Sequence, residues 1–233
     1  MIDLSRRSTE IEVMDQPETS RADYALALAD LARVNQVTFT HRPVLAWLEA
    51  ATAGATRGTR FSILDIASGQ GDLLRAIRIW GRKRGLRLVL AGLDLNPQSA
   101  VEAQAATPAL MGIVWQTGDV FNHVPEPAAD FIVSSQFTHH LNNDQVVSFL
   151  QWLERHSVRG WFVADLHRHV VAYYGFPLVA RLMRWHRIVR IDGTISIARS
   201  FRAAEWRALL ARADVVADIR WRLMFRYCVG RIK

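Results

Sequence analysis

The sequence predicts an α/β fold: a mostly parallel sheet with helices on both faces, a helical cap before it and an antiparallel hairpin after it. Three observations carry that expectation. In residues 61–80 an apolar run, a glycine turn and an amphipathic run follow one another without a gap. From Phe61 to Asp165 short apolar runs alternate with helical patterns, as βα units do. The last two apolar runs, residues 217–223 and 225–232, are joined too tightly for a crossover helix and must pair antiparallel.

At 233 residues the chain is long enough for one substantial core with a cap or insertion. Residues 1–20 mix charge, serine and proline without periodicity and are expected to be mobile. Residues 21–60 read as a helical cap, 61–233 as the main domain, and 168–200 as a helical lid inserted into it. No apolar stretch approaches the roughly 18 residues of a membrane span, and the polar start has no apolar core of a signal peptide, so a cytoplasmic protein is expected. Cys228, the only cysteine, rules out an intramolecular disulfide and a cysteine zinc cluster. The formal charge of +7 comes almost wholly from arginine, Lys83 and Lys233 being the only lysines. A nucleic-acid face would cluster basic residues with aromatics, and the one dense cluster, Arg82-Lys83-Arg84, falls at a helix end where cations complement the dipole.

Tyr24, Leu26, Leu28, Leu31 and Val34 mark a first amphipathic helix, and Pro43 suits the first turn of a second. Residues 61–67 form a buried strand, Ser68-Gly69-Gln70-Gly71 turns the chain, and Leu73, Leu74, Ile77 and Trp80 share one helix face. A second strand, 86–93, ends at Asp94, after which Asn96-Pro97 caps and opens a helix. Asp94 lies close to the roughly 20-residue spacing at which an acid at the tip of a second strand accepts from ribose hydroxyls. Residues 111–116 are a third strand leading to Asp119, and 130–135 a fourth. Asn142 with Gln145 opens the next helix as a capping-box pair. A fifth strand, 161–164, runs into Asp165-Leu166-His167. The final helix spans 203–213. Every polar candidate follows a strand, where ligands of a parallel sheet bind.

Asp65-Ile66-Ala67-Ser68-Gly69-Gln70-Gly71 resembles the first motif of class I S-adenosylmethionine-dependent methyltransferases, with Ala67 where that family usually has glycine. A dinucleotide fingerprint would need a small residue where Leu74 stands. The resemblance covers residues 61–233 and implies a Rossmann-like, seven-stranded, mostly parallel sheet with the C-terminal antiparallel hairpin. It further implies that S-adenosylmethionine is held by Asp65, Ala67, Ser68, Gly69 and Gly71 at the turn. Asp94 and Leu95 would take the ribose, Asp119 and Val120 the adenine, and Ser135 and Gln136 the methionine end.

Methyl transfer requires the acceptor opposite the sulfur and a place for its proton. His139, His140 and His167 follow strands four and five and are the candidate bases; His139-His140 resembles the paired histidines of quinone-biosynthesis methyltransferases. Ser134-Ser135-Gln136-Phe137 is not the Asn/Asp-Pro-Pro-aromatic of enzymes acting on exocyclic nitrogens. The paired glutamates of arginine methyltransferases are missing from 132–153, and Asp165-Leu166 does not match the magnesium-dependent catechol enzymes, so no metal is expected. Arg42 is a candidate partner for the cofactor carboxylate, and the aromatic lid, with Tyr173 and Tyr174, suits a flat or lipophilic acceptor, its arginines facing solvent, an anionic substituent or a membrane surface. The expected partner is therefore a small molecule methylated on a phenolic or enolic oxygen, with ring-carbon methylation of a quinol second. An RNA-binding or non-catalytic cofactor-binding protein is the alternative of another class; oligomeric state is left open.

Overall fold

The computed structural model describes residues 3–233. Its seven strands are β1 (Arg60–Ile66), β2 (Arg87–Asp94), β3 (Ile113–Thr117), β4 (Ala129–Ser135), β5 (Ser157–Leu166), β6 (Asp218–Arg222) and β7 (Arg226–Ile232). They lie side by side in the order β3-β2-β1-β4-β5-β7-β6. The first five are mutually parallel, whereas β7 runs antiparallel to both β5 and β6. This is the Rossmann-like, mostly parallel sheet with a terminal hairpin that the sequence predicts.

Alternation of side chains along the central strands builds the two faces. On one face Leu73, Leu74 and Ile77 of α3 (Asp72–Arg84), with Val44 and Leu48 of α2 (His41–Ala51), pack against Ile63, Phe131, Val133 and Phe162. On the other, Phe149, Leu150 and Leu153 of α5 (Asn143–His156) join Trp206, Leu209 and Leu210 of α8 (Ala203–Ala213) over Ile66, Ile132, Val163 and Val229. Each such side chain contributes roughly 1.5–3 kcal/mol on burial, so the sheet is anchored from both sides. Asn142 caps α5 through the capping box with Gln145.

A third, smaller core joins α1 (Arg21–Val37) to α6 (Val170–Leu182) and α7 (Arg187–Arg199) through Ala27, Val34, Ala180, Trp185, Ile188 and Val189. Residues 168–200 thus fold as a helical pair against α1. Gly193 permits the close approach of α6 and α7, since a Cβ there would stand 1.9 Å from the Phe176 ring. α4 (Pro97–Ala106) packs on α1, where the Tyr24 and Ser99 hydroxyls are 2.8 Å apart.

The N-terminal segment departs from expectation. Residues 1 and 2 lie outside the described residues, but 3–20 form a strap tied to the body instead of a mobile tail. Val13 and Met14 donate their backbone N–H groups to the two oxygens of Asp192, at 2.7 and 3.0 Å. Arg168, 1% exposed, donates to the Leu4 carbonyl at 3.0 Å and to Glu205 at 2.7 Å. Arg199 bridges the Glu10 carbonyl to those of His139 and His140, and Arg7 lies over the Phe201 ring while donating to the Leu141 carbonyl. Several arginines behind the positive charge are therefore internal clamps.

Replacing Arg168 by Met keeps the stem's volume but removes these charged hydrogen bonds. Urea unfolding should show a loss of about 1.5–3 kcal/mol, with faster proteolysis within residues 3–20. A fully stable variant with an unchanged cleavage pattern would contradict the clamp.

Candidate functional site

A cavity of about 130 Å³ opens at the carboxyl ends of β1 and β4. Its floor is the glycine turn. Ala67 and Ser68 both donate N–H groups to the Leu93 carbonyl, and the Gly71 N–H reaches back to the Ser68 carbonyl at 2.8 Å. Gly71 has φ +77°, and a Cβ there would stand 2.1 Å from the Trp115 ring, so only glycine fits. Ala67, the departure from the usual glycine, is nevertheless left-handed at φ +58°. Its methyl is held in a conformation that costs an L-residue about 1–2 kcal/mol.

Of the sequence candidates, Asp65, Ala67, Ser68, Gly69, Ser135, Gln136, His139 and His140 line this cavity. Asp65 is buried with Oδ1 unpartnered, as is the Ser135 hydroxyl. Burial, with Asp72 and Asp94 nearby, pushes the Asp65 carboxyl well above the usual range. Asp72, at the first turn of α3, accepts from Asn35 and pairs with His41 at 2.8 Å, so α1 and α2 are clipped to the turn. Burial alone would raise its pKa; His41 and Asn35 bring it below the ordinary value.

Asp94, Leu95, Gly71, Asp119 and Val120 are not among the residues lining the cavity. Asp94 stands at the tip of β2, where it accepts from the backbone of Gly69 at 2.9 Å and of Asn96 at 3.0 Å. Its pKa is raised by burial against these bonds. Asp119 accepts from the Phe121 N–H at 3.0 Å beside buried Val120, and Leu95 is exposed.

Four further candidates lie away from the cavity for identifiable reasons. The ring of His167 packs against Tyr227 at the sheet's hairpin side and receives the Trp221 indole N–H. Burial, then His169 and nearby arginines, lowers it to about 4. Arg42 is exposed and lies over the Phe39 ring, turned outward by the left-handed Phe39 between α1 and α2. Tyr173 and Tyr174 pack edge to face on the outer side of α6.

A second cavity, of about 270 Å³, is apolar and shares the wall formed by Glu12, Met14, Leu31, Gln136 and Ser196 with the first. α6 presents Val171, Ala172, Gly175, Phe176 and Val179 to it, and α7 presents Ile188, Val189 and Gly193. Met224 and Phe225 complete the wall from the β6–β7 turn, both at positive φ (+62° and +52°), the sign that a type I′ turn demands of its central pair. Arg226, 2% exposed, is the cation on this wall, lowered by burial to about 10 and still charged at neutral pH.

Where the cavities meet, Glu12 of the strap faces both histidines. Its Oε1 is 3.3 Å from His139 Nε2, 3.8 Å from His140 Nε2, and accepts from the Ser196 hydroxyl at 2.8 Å. His139 is buried between Glu12 and Asp165, with Nδ1 2.7 Å from Asp165 Oδ1. Burial would lower its pKa, but the two carboxylates raise it to about 10. Neither ring nitrogen of His139 is thus free to act as a base. Glu12 escaped the sequence reading because nothing in a charged, aperiodic segment marks it as buried.

Residues 64–164 match the family model described as a methyltransferase domain. The chain carries a class I, S-adenosylmethionine-dependent methyltransferase domain. No curated protein sequence matches the chain. Among solved structures, magnesium protoporphyrin IX methyltransferase from Synechocystis with bound S-adenosylhomocysteine is similar over 94% of this chain and 89% of its own, at 13% identity and TM-score 0.56. Human N-acetylserotonin methyltransferase, in complex with S-adenosylmethionine, is similar over 92% of this chain and 56% of its own, at 15% identity and TM-score 0.63. The plantazolicin methyltransferase, with a desmethyl analogue and S-adenosylhomocysteine, matches 83% of this chain and 73% of its own, at 15% identity and TM-score 0.59. At these identities the likeness is one of fold. The methyltransferase fits its cofactor chemically: the unpartnered Asp65 and Ser135 oxygens give a cationic amino group acceptors on the cavity wall.

A cation placed beside Asp65 would draw its raised pKa down, so cofactor uptake should release a proton. At pH 6 the ligand's own amine is already protonated, and calorimetry in buffers of different ionisation enthalpy should give different heats. Equal heats, or a difference that persists in Asp65→Asn, would contradict this role.

Proposed function

We propose that the methyltransferase transfers its methyl group to a phenolic or enolic oxygen of a small, lipophilic metabolite. The observation that carries this reading is the apolar cavity on α6 and α7, which shares a wall with the cofactor cavity. A pocket lined by aliphatic and aromatic side chains with few polar groups selects a flat or greasy ligand. Arg226 is the cation that would favour an ionised oxygen on it.

In this reading Asp65, Ser135 and Gln136 hold the methionyl end, and the turn at Ala67, Ser68, Gly69 and Gly71 lets the ligand approach the backbone closely. Asp94 and Leu95 face the ribose, and Asp119 and Val120 the adenine. When bound, the cofactor supplies an electrophilic methyl. The chain's residues bring the acceptor in line, exclude water with the strap, and place Glu12 and His140 where the acceptor's proton leaves. His167, Arg42, Tyr173 and Tyr174 have no part in it. Ring-carbon methylation of a quinol stays second, because Arg226 would stabilise the same phenolate.

The test uses labelled cofactor with a panel of phenols, quinols and hydroxylated polyketides, followed by location of the methyl group. Transfer to oxygen is expected. For any accepted compound, Gly175→Leu should raise KM at least tenfold, about 1.4 kcal/mol, because a side chain there meets nothing within 4 Å and enters the cavity. Cofactor affinity should hold, and helix stability should rise by about 0.5–1 kcal/mol. Label found only on RNA or protein, or a Gly175→Leu enzyme with unchanged KM, would overturn the proposal.

A further inference from the structure

Glu12, His139 and His140 offer one carboxylate oxygen and two ring nitrogens that all lie within 4.8 Å of one another. The cluster is assembled from two places far apart in the chain: the strap, and the turn after β4. His139 and His140 stack with ring centroids 4.3 Å apart, so both Nε2 atoms reach the same oxygen of Glu12. The opposite nitrogen of each ring is already committed. Nδ1 of His139 stands 2.7 Å from Asp165 Oδ1, and Nδ1 of His140 stands 2.9 Å from Asp15 Oδ2.

A neutral histidine whose Nδ1–H donates to a carboxylate presents its Nε2 lone pair, the arrangement that outer carboxylates impose on metal-bound histidines. Once His139 gives up its Nε2 proton, two lone pairs and a carboxylate oxygen face one another within 4.8 Å. A cation there takes the place of the Nε2 proton through which His139 otherwise meets Glu12, and a hydrogen bond accounts for only one of the two histidine contacts. At 3.8 Å the His140 contact is too long for a hydrogen bond. Bonds of about 2.0–2.2 Å from a tetrahedral cation to nitrogen and oxygen place neighbouring ligand atoms roughly 3.3 Å apart, close to the 3.3 and 3.8 Å found here.

We propose that Glu12, His139 and His140 bind a divalent transition-metal cation, zinc foremost, with Asp165 and Asp15 orienting the two histidines and Ser196 the glutamate. The sequence reading expects no metal because it reads only the segments after β4 and β5, where carboxylate ligands are missing; the carboxylate comes from the strap. Three protein ligands leave a position open, which is the form of a catalytic zinc site. All three residues line the cofactor cavity and Glu12 lines the apolar one as well. With the cation bound, an acceptor oxygen at that position would give its proton to solvent instead of to Glu12 or His140, and would form the C–O bond as the C–S bond breaks, the sulfur keeping that electron pair. Only this last use rests on the proposed methyl transfer, and the test measures the cation without acceptor or cofactor, so the two can fail separately.

The untagged full chain is stripped with chelator, given zinc in competition with a chromogenic chelator, and assayed for bound metal by mass spectrometry. About one zinc per chain is expected. His140→Ala and Glu12→Gln should each weaken binding at least 100-fold, Asp15→Asn by about tenfold, and His156→Ala on α5 not at all. Cobalt(II) should give a visible absorption band that His140→Ala abolishes while circular dichroism shows the fold intact. A folded wild-type chain that retains no zinc overturns the assignment, as does wild-type affinity in both His140→Ala and Glu12→Gln.

Discussion

Asp165 is the constraint on which the site depends. It is fully buried at the end of β5, where it accepts from the His139 backbone at 2.9 Å and the Thr138 hydroxyl, and it holds the His139 ring through Oδ1. A buried carboxylate is tolerable only when its lone pairs are used. Its partners here fix the turn after β4, and His139 in turn receives Glu12 of the strap. The sheet, the histidine turn and the wall between the two cavities are thereby one connected network. Arg199 binds the carbonyls of both His139 and His140 and closes it from the α7 side.

The sheet was legible because its signals are local. Apolar runs at Leu64 and Ile132 leave no other secondary structure, Asn142 and Asn96 cap helices as written, and the tight link before Phe225 forces the hairpin. The glycine turn was legible for the same reason. β5 proved longer than the expected 161–164, since β7 pairs with it from Gly160 to Leu166 and its apolar centre understates that ladder. That extension is also what carries His167 to the hairpin side, where its backbone N–H meets the Phe225 carbonyl.

Other parts of the site were not legible, because their order is tertiary. Glu12 and Asp15 lie in a segment whose own sequence favours no structure, and Asp15 meets His140 125 positions later. An apolar helix such as α6 does not announce its inner face, so Tyr173 and Tyr174 were as eligible as Gly175 and Phe176 until α7 and α1 were placed. Left-handed backbone at Ala67, Gln136, Met224 and Phe225, all on the walls of the two cavities, is equally silent in sequence. Strain of this kind collects where surrounding packing over-determines the chain, and such places are commonly functional.

The strap belongs to the site and is held there through Asp165. Amide hydrogen exchange, read residue by residue, tests it most directly. The Val13 and Met14 amides, bonded to Asp192, should exchange slowly in the wild-type chain and at least tenfold faster in Asp165→Asn, while β1 and β4 stay protected. Wild-type amides at Val13 and Met14 exchanging like free peptide, or protection that survives Asp165→Asn unchanged, would contradict it.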